Sequence, residues 1–128
     1  MDASGLILLV EDDDDVRFTV SEILLDAGFE IQIASDGGKA LAVMEECRES
    51  ICGIVADINL GRGPNGWDVA KRGRELIPTL PVVYISGADG HDWPSKGVPH
   101  STLVSKPFAP AQLVTAISTL MNTSDLHR

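Results

Sequence analysis

Short apolar runs alternate five times with longer stretches whose apolar residues return every three or four positions, and this confines the chain to a narrow set of folds. Leu6–Val10 is apolar throughout, the pattern of a strand covered on both faces. Val16, Val20, Ile23, Leu24 and Ala27 then share one helical face, which predicts a helix from about Asp14 to Ala27, ended by Gly28. Phe29, Ile31 and Ile33 alternate with polar residues, as on an edge strand. Ala40, Val43, Met44 and Cys47 mark a second helix, and Ile51–Ala56 another buried strand. Val69, Ala70, Gly73, Leu76 and Ile77 outline a third helix, with Asn65 and Asp68 spaced for reciprocal capping of its start. Pro81–Ile85 reads as a fourth strand, which a proline tolerates only at its beginning. Leu103 and Val104 form a short fifth, and Leu113, Ile117, Leu120 and Met121 line the last helix. Between 87 and 101, Gly90, Pro94, Gly97 and Pro99 interrupt the pattern, so a fourth helix there is expected to be short or distorted.

Alternation of this kind implies an α/β, doubly wound fold: a five-stranded parallel sheet with right-handed crossovers and helices on both faces. Ligands then belong at the carboxyl ends of the strands. A length of 128 residues fits a single domain over 1–128, with a core from about 5 to 121 and a polar tail over 122–128. The net charge of -9 argues against direct nucleic-acid binding and suits a molecule that gathers cations or meets a basic partner. Cys47 and Cys52 are too few for a disulfide framework, and the longest apolar run near the start is too short for a signal or membrane segment. A cytoplasmic location without membrane attachment is expected.

The strand ends carry the chemistry. The first delivers Glu11 and Asp12, with Asp13, Asp14 and Asp15 behind them; the third delivers Asp57, the fourth Ser86, and the fifth Lys106 followed by Pro107. Two carboxylates about 4 Å apart repel by roughly 4 kcal/mol at an effective dielectric near 20. A hard, oxygen-seeking cation such as Mg²⁺ answers that repulsion. Asp14 and Asp15 lie inside the helix pattern and read as solvated acids that favour the helix dipole. A calcium loop is excluded, because no glycine stands at its turn position and no glutamate closes it. His91, His100 and His127 lack ligand spacing and are expected to be exposed, while Trp67 and Trp93 read as packing or partner-facing residues.

Leu8-Leu9-Val10-Glu11-Asp12-Asp13, Val55-Ala56-Asp57-Ile58-Asn59-Leu60, Tyr84-Ile85-Ser86-Gly87 and Ser105-Lys106-Pro107-Phe108 resemble the four signatures of bacterial response-regulator receiver domains, in order and at the right strand ends. The resemblance implies a flavodoxin-like sheet ordered 2-1-3-4-5. It implies phosphorylation of Asp57, with Mg²⁺ (or Mn²⁺) held by Glu11, Asp12, Asp57 and the backbone carbonyl of Asn59. Lys106 and Ser86 would contact the phosphoryl group, and the peptide bond before Pro107 would be cis. The implied donor is a sensor histidine kinase or histidine phosphotransfer protein, and the implied role a two-component signalling phosphoacceptor rather than an enzyme. With no room for a DNA-binding output domain, its effect on a downstream target is expected to pass through protein contacts or onward phosphotransfer.

Departures from the family pattern are equally specific. Leu103 stands at the switch position where the family usually carries Tyr or Phe, so no ring is available to rotate there. The Leu60–Gly66 loop lacks the usual Met-Pro step and is one residue longer than common, leaving Arg62 as a candidate contact to the site or a partner. Asn59 and Ala88 occupy the two positions that often tune hydrolysis of the acyl phosphate. The rival readings are a phosphorylation-independent adaptor of the same fold, a phosphohydrolase and a flavin binder. The first would be marked by loss of site residues; the second wants an aspartate where Asn59 stands; the third is opposed by the repulsion of Glu11–Asp15 for a flavin phosphate.

Overall fold

Five strands, β1 (Leu6–Val10), β2 (Glu30–Ala34), β3 (Ile51–Asp57), β4 (Val82–Ser86) and β5 (Ser101–Ser105), form one sheet in the computed structural model of the chain, which describes residues 5–87 and 89–126. Ala88 and His127 lie outside the described residues. All four strand pairings are parallel, in the order β2-β1-β3-β4-β5. This is the doubly wound, flavodoxin-like architecture that the alternating pattern and the resemblance imply.

Alternate residues of a strand point to opposite faces, and the core divides accordingly. On one face Leu8, Val10, Ile54, Ala56 and Tyr84 meet Met44 of α2 (Gly37–Cys47) and Trp67 and Ala70 of α3 (Gly66–Leu76). On the other, Ile7, Leu9, Val55, Val83 and Ile85 meet Val20 and Leu24 of α1 (Asp14–Asp26) and Leu113 and Ile117 of α5 (Pro110–Leu126). Each wholly buried leucine or isoleucine here contributes roughly 1.5–3 kcal/mol of hydrophobic stabilisation. Ile33, last of the alternating trio on β2, stays 43% exposed, since β2 is an edge strand.

Helix starts follow their local chemistry. Asp13 accepts from Val16 N, and Asp36 from Lys39 N. The Asn65 side chain accepts from Asp68 N at 2.9 Å, while Asp68 accepts from Asn65 N at 3.1 Å, completing the reciprocal cap. α5 runs through Leu126, past the end of its apolar periodicity at Met121.

The broken stretch yields a 3-10 turn over Asp89–Asp92 and then α4 (Trp93–Lys96), only four residues long. Its far end is fastened to the sheet. Val98 N donates to the buried Tyr84 hydroxyl at 3.1 Å, and Trp93 Nε1 donates to Ser101 Oγ, which donates in turn to the Val98 carbonyl. Arg74 of α3 reaches the same region and donates to the carbonyls of Leu80, Pro99 and His100. Trp67 is buried with its ring 4.7 Å from that of Tyr84, so it is a packing residue, whereas His91 and His100 are exposed. Both cysteines are free thiols, and among the described residues no helix is long and apolar enough to cross a membrane.

Candidate functional site

The carboxyl end of the sheet gathers the acids. Past the last paired residue of β1, Glu11 N still donates to the Ala34 carbonyl of β2, which carries the Glu11 side chain inward. Glu11 is wholly buried, Asp12 is exposed, and Asp57 at the end of β3 is 8% exposed. Carboxylate oxygens of these three residues lie within 4.8 Å of one another.

Neighbouring groups hold this cluster. Lys106 Nζ donates to Asp57 Oδ2 at 3.1 Å and stands 4.0 Å from Glu11 Oε1. Asn59 N donates to Asp57 Oδ1 at 3.2 Å, and Asp13 N to Glu11 Oε2 at 3.2 Å. β5 is tied to β4 beside the site by Lys106 N donating to the Ser86 carbonyl at 2.7 Å, and the Lys106–Pro107 peptide bond is cis. Gly66, the first residue of α3, presses against the Asp57 carbonyl so closely that a Cβ there would collide with it. Asp14 and Asp15 sit exposed in the first turn of α1, outside the cluster.

Among the described residues three buried side-chain oxygens lack a hydrogen-bond partner, and two of them, Glu11 Oε1 and Ser86 Oγ, belong to residues at this end of the sheet. The Glu11 carboxyl is pushed up to about 8, chiefly by burial and next by the Asp57 carboxylate beside it; the Asp13 N–H and the Lys106 charge oppose the rise only in part. A buried carboxylate oxygen without a donor, next to two further carboxylates, is a donor set suited to a small hard cation. The residues present therefore fit Mg²⁺.

Other expected positions fall around this centre. The Asn59 side-chain Oδ1 accepts from Gly61 N at 3.4 Å. Leu103 is half-buried and meets the turn that follows β4: a Cβ on Gly90 would stand 2.8 Å from Leu103 Cδ2 and 3.3 Å from Ser86 Oγ. Arg62 is exposed in its loop. An apolar cavity of about 260 Å³ between Arg74, Pro81 and Leu120 lies near the amino end of β4, away from the acids. Sequence reasoning passed over Arg17, whose Nη1 donates to the Glu11 carbonyl at 3.0 Å; a cation one turn into the helix after a strand-end acid is the signal that marks it.

Residues 7–118 match the family model for the response regulator receiver domain. The chain belongs to that family. A response regulator receiver protein from Sinorhizobium medicae WSM419 has the same fold, with 40% identity and a TM-score of 0.91 over 94% of this chain and 97% of that one. The response regulator receiver protein CpdR of Brucella abortus is 29% identical over 117 residues, 90% of this chain and 95% of that protein. The sensor kinase CckA of Brucella abortus is 27% identical across 98% of this receiver chain, which spans only 13% of the kinase. Membership of the family ties the chain to two-component phosphorelay signalling, and the acid cluster of this receiver domain fits the magnesium site of such domains.

Proposed function

We propose that this receiver domain takes a phosphoryl group onto Asp57, with Mg²⁺ (or Mn²⁺) held by Glu11, Asp12, Asp57 and the backbone carbonyl of Asn59. The observation that carries the reading is the convergence of three carboxylates within 4.8 Å beside an ammonium 3.1 Å from Asp57. When bound, the cation neutralises the cluster and withdraws charge from phosphoryl oxygens.

An Asp57 carboxylate oxygen attacks phosphorus in line with the leaving group. The new O–P bond forms as the donor's bond to phosphorus breaks, and the departing group keeps the electron pair. Lys106 places fixed positive charge beside the incoming oxygens without needing to reorganise. The Ser86 hydroxyl, buried and unpartnered, donates to one of them. A sensor histidine kinase or histidine phosphotransfer protein is the donor. The phosphorylated state favours a different arrangement of the surface around the 3-10 turn and α4, which a downstream protein reads by its contacts. The chain is a signalling phosphoacceptor that assists only its own modification, and it works in the cytoplasm. A phosphorylation-independent adaptor would have no use for a cation-demanding acid cluster with two of its three members buried, and no observation favours it.

Incubation with acetyl phosphate and Mg²⁺, followed by intact mass measurement, tests the reading. The wild type gains a single phosphate and Asp57→Asn gains none. An unmodified wild type, or equal gain by both proteins, would refute it.

A further inference from the structure

The role of Arg17 is not accounted for by the phosphoryl chemistry itself. The residue lies in the first turns of α1, and its guanidinium turns back toward the strand end. Nη1 donates to the Glu11 carbonyl at 3.0 Å, while Nη2 pairs with Asp14. The side chain is 22% exposed, so the contact is sheltered from competing water. The Glu11 carbonyl lies just beyond the last paired residue of β1.

A peptide unit is planar, so the Glu11 carbonyl and the Asp12 nitrogen turn together. Holding the carbonyl therefore fixes the plane from which the Asp12 Cα and its carboxylate depart. That matters most at Asp12, because Glu11 and Asp57 are buried and held by hydrogen bonds from Asp13 N, Asn59 N and Lys106, whereas Asp12 is the exposed member of the cluster. We propose that Arg17 is a positioning residue for the cation site: it fixes the Glu11–Asp12 peptide and so aims the Asp12 carboxylate at the oxygens of Glu11 and Asp57. This rests on the reading that the cluster holds a divalent cation.

Charge and position act with opposite signs, which makes the role measurable. A guanidinium repels an arriving cation, so if charge alone mattered its removal would tighten binding. Lost positioning weakens binding instead. Mg²⁺ is titrated calorimetrically into the wild type, Arg17→Met and Arg17→Lys, each checked for native circular dichroism. Arg17→Met is expected to bind roughly tenfold more weakly, the scale of effect found when a group that orients a metal's ligands is removed. Arg17→Lys, with the charge kept but a single point of contact, falls between the two.

Equal or tighter binding by Arg17→Met overturns the assignment. If that variant does not fold, Arg17→Lys decides alone: weaker binding than wild type supports the role, and wild-type affinity overturns it. A wild type that takes up no Mg²⁺ overturns both this role and the functional reading beneath it. A wild type that binds, matched by Arg17→Met, removes the role of Arg17 only.

Discussion

Glu11 combines complete burial, an oxygen without a donor and a neighbouring carboxylate, and all three favour its protonated form. Its carboxyl is pushed up to about 8, against 4.5 for the ordinary side chain. Between those values the unfolded chain has lost the proton that the folded chain keeps. The unfolded state then binds fewer protons, so the metal-free protein loses stability as pH rises from about 4.5 toward about 8. Cation uptake must displace that proton. Calorimetry of Mg²⁺ binding at pH 7 in buffers of different ionisation enthalpy is therefore expected to show net proton release, and Mg²⁺ affinity to rise with pH across the same range. Heats that do not depend on the buffer would contradict this account of Glu11. The identities of Glu11, Asp12, Asp57, Ser86 and Lys106 were legible as strand-end residues, because a short apolar run declares where it stops. The burial of Glu11 and the contact made by Arg17 were not, since both depend on how the chain turns between β1 and α1.

At the scale of elements, local chemistry was legible and long-range fastening was not. The Asn65–Asp68 cap and the shortness of α4 both follow from residues within a few positions of one another. The hold on α4 does not. Tyr84 looked like one more apolar strand residue, yet its hydroxyl accepts the Val98 N–H fourteen residues away. Arg74 of α3, which no local sequence pattern marks, donates to a carbonyl as far off as His100. Tyr84→Phe keeps the ring and its packing on Trp67 but leaves a buried N–H unsatisfied, at a cost of about 1–3 kcal/mol. Urea unfolding is expected to show a lower midpoint with an unchanged slope, and a midpoint equal to wild type would mean that this bond does not hold the segment. A Cβ on Gly90 would stand 3.3 Å from Ser86 Oγ, so the turn after β4 runs close beside the Ser86 hydroxyl. The near end of the 87–101 stretch is thus adjacent to the site, and the far end is the one fastened down.

The whole molecule separates stability from chemistry. Two apolar layers enclose the sheet, one from α2 and α3 and the other from α1 and α5, and neither layer needs the acid cluster. The doubly wound class was readable from alternation alone, but the strand order came from the resemblance, because periodicity says which residues face inward and nothing about which strands are neighbours. That order sets β1 and β3 side by side, so Glu11, Asp12 and Asp57 converge from segments more than forty residues apart in sequence. On the proposed reading a cation makes this convergence tolerable and leaves Asp57 as the nucleophile. Acetyl phosphate is therefore added to the wild-type protein in two arms, one with Mg²⁺ and one with a chelator in excess, and the intact mass is followed over time. One phosphate is expected in the magnesium arm and an unmodified chain in the other; equal phosphorylation in both arms, or none in either, would refute a cation-dependent transfer to Asp57.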